Sequence, residues 1–185
     1  MRAAIFASGS GTNFEALVNA HISGLEIVLM VCDKPGAKVI ERANRLGVET
    51  LVISPRSFDS KAAYETAILN RLRNLKVDFI CLAGYMRIIG DTLYDAYAGR
   101  ILNIHPALLP SFKGAHAIDD AFNFGVKVFG VTVHLIDLTI DGGTILAQRA
   151  FEYNGNDRDE VEARIHEIEH ILYPEAVTKF IKSIQ

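Results

Sequence analysis

Residues 3–20 read AAIFASGSGTNFEALVNA, a short apolar run followed by a Ser/Gly turn and then a helical pattern. The run Ala3–Ala7 predicts a buried strand, and the segment from about Asn13 to Ile22 predicts a helix. Glycines between a strand and a helix let the backbone approach an anion at the helix N-terminus. This stretch therefore indicates an α/β fold that begins with a candidate phosphate-binding turn.

The alternation of strands and helices continues along the first part of the chain. The next predicted elements are strand Ile27–Cys32, helix Val39–Leu46, strand Thr50–Ile53, helix Ser60–Leu75 and strand Val77–Leu82. Because these strands are almost entirely apolar, we expect a sheet with helices on both faces. The pattern predicts a Rossmann-like, mostly parallel sheet.

The second part of the chain follows a different pattern. Its predicted elements are strand Ile101–Ile104, helix Ala117–Phe124, strands Val131–Ile136 and Thr144–Arg149, and a closing helix capped by Asp157. The last two strands are separated by too few residues for a parallel crossover, which needs about a dozen. An antiparallel pair and a mixed sheet follow. Pro174 should kink or interrupt the closing helix.

Length and composition limit the function classes. A chain of 185 residues, half of them hydrophobic, predicts one domain over residues 1–185, with halves at about 1–100 and 101–185. The net charge of −3, without a basic stripe, argues against nucleic acid as a partner. No apolar run suits a signal peptide or a membrane helix, so we expect a cytoplasmic protein. Cys32 and Cys81 form no paired motif and should be reduced core residues.

The Ser8–Asn13 turn allows three interpretations. A substrate phosphate could bind there, or the turn could be an ordinary helix entry. A dinucleotide is the third possibility, because Asp33 follows the second strand where a ribose-binding acid would lie. Phe14 stands where that motif has its third glycine, and this weakens the dinucleotide interpretation.

Asn103 and His105 form the second candidate site. They lie at i and i+2 of an extended segment, so both side chains should point to the same side. An Asn amide can donate to an oxyanion, and a histidine can donate or transfer a proton near neutral pH. Asp141, before two glycines, is a further candidate, although Asp-Gly is usually only a turn signal.

The closing helix contains His166-Glu167-Ile168-Glu169-His170, which matches the zinc motif His-Glu-x-x-His. Tyr173 and Ala176 stand where a longer zinc-protease motif requires glycine and histidine. Short motifs often match by accident, and we predict no metal site.

Four segments together resemble the folate-dependent formyltransferase family, and within it the phosphoribosylglycinamide formyltransferases, also called glycinamide ribonucleotide transformylases. They are residues 8–13, 82–88, 103–110 and 133–143. The resemblance implies a formyltransferase fold and transfer of the formyl group of 10-formyltetrahydrofolate, as cosubstrate, to glycinamide ribonucleotide in purine biosynthesis. It also implies two small-molecule substrates, no metal, and a monomer or homodimer. Alternatives are formyltetrahydrofolate hydrolase, another formyltransferase of the family, or an oxidoreductase that binds a nucleotide.

The resemblance also implies roles for individual residues. The catalytic residues would be Asn103, His105 and Asp141. The ribonucleotide and its phosphate would bind Gly11, Thr12, Asn13 and Glu169. Folate would bind Lys61, Met86, Arg87, Ile88, Ile89 and Asn103. On this basis the first half would bind phosphate, and the second would hold catalytic and folate-binding groups.

The sequence departs from the family pattern at four positions. They are Lys61, where some relatives carry Arg; Lys113, where Pro is common; Thr144, where Pro often follows the glycines; and His166, where some relatives carry Gln. Lys61 keeps a positive charge but lacks the two-pronged guanidinium. His134 lies on a predicted strand, and the sequence favours a structural role for it.

Overall fold

A computed structural model of the chain describes residues 1–184. Seven strands form a mixed sheet in the order β3-β2-β1-β4-β5-β6-β7. The strands are β1 (Arg2–Ala7), β2 (Glu26–Cys32), β3 (Thr50–Val52), β4 (Phe79–Leu82), β5 (Ile101–His105), β6 (Val128–Leu135) and β7 (Ile145–Glu152). Strand β1 is parallel to β2 and β4, and β6 is antiparallel to β7. The predicted mixed α/β sheet is confirmed.

The described residues also form six α-helices and one 3₁₀ turn. The helices are α1 (Thr12–Asn19), α2 (Lys38–Arg45), α3 (Lys61–Asn74), α4 (Asp91–Ala96), α5 (Ala117–Phe124) and α6 (Arg158–Ser183), and the turn is Pro55–Ser57. Side-chain caps define two helix starts. Ser60 Oγ accepts from Ala63 N at 3.1 Å before α3, and Asp157 Oδ1 accepts from Asp159 N at 2.9 Å before α6.

The chain divides into two compact units, Met1–Leu102 and Asn103–Gln185. In the first unit, β1 and the carboxyl half of β2 are buried on both faces, as the apolar runs predicted. In the second unit, α6 continues through Pro174, so the proline does not interrupt the helix, and interruption was one of the two predicted outcomes. The neighbouring side chains Tyr173 and Val177 are completely buried, and this burial offsets the backbone hydrogen bond that proline removes.

Candidate functional site

The Ser/Gly turn lies between β1 and α1, and α2 supports it from one side. Gly11 is the N-cap of α1 with φ 77°. Val39 N donates to Gly9 O at 3.1 Å, and Arg42 Nε donates to Ser10 O at 2.8 Å. These bonds fix two carbonyl groups of the turn to α2. The N-terminus of α1 follows directly after this turn, and a helix N-terminus is an environment that suits an anion.

Gly11 is required by its surroundings as well as by its backbone angle. A Cβ at this position would lie 2.4 Å from Val39 Cγ2 and 2.9 Å from Val39 Cα, and the second atom belongs to the backbone. Gly11→Ala should therefore lower the free energy of unfolding by about 2–4 kcal/mol, through steric overlap and a left-handed backbone. Denaturant unfolding measures this change.

Gly36→Ala is the matched control for that prediction. Gly36 has φ 79°, but a Cβ there would meet no atom within 4 Å. In Gly36→Ala the free energy of unfolding should fall only by the cost of the left-handed backbone angle, about 1–2 kcal/mol. If Gly11→Ala and Gly36→Ala lower the free energy of unfolding equally, the contact with Val39 contributes nothing.

The five predicted folate residues of the first unit line one cavity. This cavity has a volume of about 500 Å³, within the usual range for small-molecule sites. Its lining includes Lys61, Met86, Arg87, Ile88 and Ile89, together with the aromatic residues Phe58, Tyr64 and Tyr85. The Tyr64 and Tyr85 hydroxyls are 2.6 Å apart. Burial raises the pKa of both phenols, so both remain neutral hydrogen-bonding groups.

Asp33 is not arranged as a ribose-binding acid. Its side chain is completely buried, and its Oδ2 accepts from Arg87 Nε at 2.8 Å. The carboxylate therefore holds a cavity residue in place and is not presented to a ligand. This geometry gives the dinucleotide interpretation no support.

The second unit brings His105 and Asp141 together, and Asn103 lies two residues before His105 on β5. The buried His105 ring lies between two acceptors: its Nε2 is 2.8 Å from Phe112 O, and its Nδ1 is 3.6 Å from Asp141 Oδ2. Nε2 donates to Phe112 O, because a carbonyl oxygen can only accept. The Asp141 carboxylate lies beside Nδ1 but beyond hydrogen-bond distance.

Asp141 is held by the backbone of the Phe112–Gly114 segment. Its Oδ2 accepts from Gly114 N at 2.6 Å, and its own φ is 48°. Asp is one of the few residues that adopt this left-handed conformation readily. The carboxylate position is therefore fixed both by its backbone and by a hydrogen bond.

His134 connects Asn103 to the loop that carries Asp141. Burial lowers the pKa of His134, so the ring is neutral. Its Nδ1 is 2.8 Å from Gly142 O, a group that can only accept, and this assigns the proton to Nδ1. Nε2 then accepts from Asn103 Nδ2 at 3.1 Å. The sequence favours only a structural role for His134 and gives no signal for this contact.

Glu169 and the zinc-like motif lie on α6. Glu169 is buried, and His166 Nδ1 donates to its Oε2 at 2.9 Å. The His166 and His170 rings stack with centroids 6.5 Å apart. Within residues 1–184 no three His, Cys, Asp or Glu side chains are grouped as metal ligands. The motif thus forms a His–Glu pair and a ring stack.

His166 should make stability depend on pH. Its hydrogen bond to Glu169 raises its pKa, and Glu162 adds a second carboxylate at 3.8 Å. A raised pKa stabilises the fold below the unfolded value of about 6.5, and this contribution disappears as pH rises through the folded value. His166→Gln should therefore lower the Tm more at about pH 6 than at about pH 9, as measured by circular dichroism. The exposed His116→Gln variant is the control; a loss of Tm in His166→Gln that is the same at both pH values would contradict the prediction.

Two backbone groups that contact His105 and Asp141 could not be predicted from the sequence. The Phe112 carbonyl and the Gly114 N–H are backbone groups, which residue identity does not reveal. Among the departures from the family pattern, Lys61 lines the cavity and His166 pairs with Glu169. Thr144 contributes a backbone carbonyl that accepts from Leu135 N at 2.8 Å.

Among the helices of residues 1–184, none has the length and apolar character needed to span a membrane.

A family model and two curated relatives match nearly the whole chain. The Formyl transferase family model matches residues 1–177. The chain is 49% identical over 182 residues to phosphoribosylglycinamide formyltransferase of Bacillus subtilis (strain 168), covering 96% of this chain and 93% of that protein. It is 37% identical to the trifunctional purine biosynthetic protein adenosine-3 of Drosophila melanogaster, over 97% of this chain and 14% of that protein.

A solved structure agrees with the sequence matches. The crystal structure of phosphoribosylglycinamide formyltransferase from Bacillus halodurans superposes with a TM-score of 0.95 and 44% identity, covering all of this chain and 97% of that one. The resemblance seen in the sequence and the predicted enzyme class are confirmed. The chain belongs to the formyl transferase family.

Proposed function

We propose that this chain transfers the formyl group of 10-formyltetrahydrofolate to the amine of glycinamide ribonucleotide, in purine biosynthesis. The observation that carries the proposal is the arrangement of His105 between two acceptors, with the amide of Asn103 held by His134. Family membership and the matches to phosphoribosylglycinamide formyltransferases support the same reaction.

In the proposed mechanism, the substrate amine attacks the formyl carbon and a tetrahedral intermediate forms. Its oxyanion accepts hydrogen bonds from Asn103 and from the Nδ1–H of the His105 imidazolium, because Nε2 already donates to Phe112 O and Nδ1, 3.6 Å from Asp141 Oδ2, is not hydrogen-bonded to it. An amide nitrogen carries two hydrogens, so Asn103 can donate to His134 and to the oxyanion at once. Donors held in place before the reaction stabilise charge as it develops.

Asp141 places its carboxylate 3.6 Å from His105 Nδ1 in this mechanism, so that an opposite charge lies beside the imidazolium. Its carboxylate also takes part in moving a proton from the attacking amine to the leaving nitrogen, through a water molecule. The chemistry uses no covalent enzyme intermediate and no metal.

Binding roles follow the chemistry of each segment. We assign the ribonucleotide phosphate to Gly11, Thr12 and Asn13, because this turn leads into a helix N-terminus. Glu169 is assigned to the ribonucleotide. Folate is assigned to Asn103 and to the five residues that line the cavity in the first unit, Lys61, Met86, Arg87, Ile88 and Ile89.

The proposal also covers the cellular compartment, the oligomeric state and the partners of the enzyme. It acts in the cytoplasm as one formyltransferase domain over residues 1–185, as a monomer or homodimer, with no nucleic acid or membrane partner. Cys32 and Cys81 are both buried and neither forms a disulfide, which suits a reducing compartment.

The test of this function follows absorbance as purified protein converts 10-formyltetrahydrofolate, with and without glycinamide ribonucleotide. We expect conversion only when the ribonucleotide is present. Equal deformylation without the ribonucleotide would overturn the proposal in favour of a hydrolase. An absence of conversion in both assays would overturn it as well.

A further inference from the structure

The segment after β4, residues 84–90, carries four of the proposed folate residues, and we call it the folate loop. Two of its apolar side chains are exposed: Met86 by 63% and Ile88 by 70%. Side chains this exposed gain little positional restraint from packing. Their positions therefore depend on how the backbone of the loop is held.

Ser8 holds the first part of the folate loop. This residue follows β1 and is only 3% exposed. Its N–H donates to Gly84 O at 3.0 Å, and its Oγ accepts from Met86 N at 2.9 Å. The hydroxyl oxygen thus bonds to the folate loop, although Ser8 belongs by sequence to the Ser/Gly turn.

Glu65 holds the other end of the loop. It lies on α3 and is only 2% exposed. Its Oε1 accepts from Gly90 N at 2.6 Å, and its Oε2 accepts from Leu93 N at 3.4 Å in the first turn of α4. A buried carboxylate is costly without hydrogen bonds, so these backbone donors account for its position.

Gly90 shows how closely the carboxylate and the loop approach each other. A Cβ on Gly90 would lie 2.9 Å from both carboxylate oxygens of Glu65. The loop is therefore fixed at Met86 and Gly90, and its middle residues are Arg87, Ile88 and Ile89. Arg87 is held separately by Asp33.

We infer that Ser8 and Glu65 are positioning residues for folate binding, because they fix the two ends of the folate loop before the ligand arrives. The inference rests on the proposed function, in which residues 86–89 bind folate. A loop that is already ordered loses less conformational entropy when it binds its ligand. Loss of either anchor should therefore weaken folate binding and leave the ribonucleotide unaffected.

The test compares Ser8→Ala and Glu65→Gln with Thr66→Ala, a control at an exposed position on α3 next to Glu65. We expect the KM for 10-formyltetrahydrofolate to rise about five- to tenfold in the first two variants, the usual effect of one lost hydrogen bond. The KM for glycinamide ribonucleotide should change less than about twofold. Amide hydrogen exchange should become faster at Met86 in Ser8→Ala and at Gly90 in Glu65→Gln.

An Ile88→Ala variant separates this inference from the proposed function. If Ile88→Ala raises the KM for folate but both anchor variants leave it unchanged, the inference is overturned and the folate assignment stands. If Ile88→Ala has no effect, the folate assignment fails and the inference fails with it. An equal rise of both KM values in the anchor variants would also overturn the inference. Ser8→Ala removes no charge, so it decides the question even if Glu65→Gln does not fold.

Discussion

Asn103→Ala is expected to lower kcat about 10²- to 10³-fold with little change in the KM for glycinamide ribonucleotide. This is the usual loss when one donor to a developing oxyanion is removed. In the proposed mechanism the donor is Asn103 Nδ2, which is also 3.1 Å from His134 Nε2. The neutral His134 ring accepts one amide hydrogen and so orients the other.

Steady-state kinetics with both substrates measures the effect, with Asn70→Ala, at an exposed position on α3, as the control. Circular dichroism establishes that the variant is folded. Near-normal kcat in a folded Asn103→Ala protein would remove Asn103 from the role of oxyanion donor. A rise in KM without a fall in kcat would instead assign the amide to substrate binding.

The sequence predicted the first unit well because its local signals agree with one another. The run Ala3–Ala7 is apolar on both faces, and the glycines that follow leave few alternatives to a strand, a turn and a helix. The short helix α4 was not predicted, because six residues carry too little periodicity. Pro174 does not interrupt α6, since the burial of the surrounding helix overrides a local propensity.

The site was predictable only where side chains carry the chemistry. Asn103 and His105 are conspicuous at i and i+2, and the structure connects both to the loop after β6, through His134 to Gly142 and directly to Asp141. The Phe112 carbonyl beside His105 belongs to a loop whose path depends on tertiary structure. Glu65 resembles an ordinary helix-surface residue in the sequence, and only the fold shows that it is buried.

Asp141→Asn is expected to lower kcat about 10²- to 10⁴-fold, the range for loss of a group that assists proton transfer. Asn occupies the same volume, tolerates φ 48°, and can still accept from Gly114 N through its Oδ1. The substitution therefore preserves the loop and removes the negative charge that lies 3.6 Å from His105 Nδ1.

Asp137→Asn is the matched control, because it removes a charge from the same loop while Oδ1 can still accept from Thr139 N. We expect this control to keep kcat within about twofold, so that a loss at Asp141 reflects its position beside His105 and not the net charge of the loop. If Asp141→Asn and Asp137→Asn lose the same activity, Asp141 has no special role in catalysis. If only Asp141→Asn loses activity and its Tm is unchanged, the carboxylate acts on the imidazolium and the transferred proton.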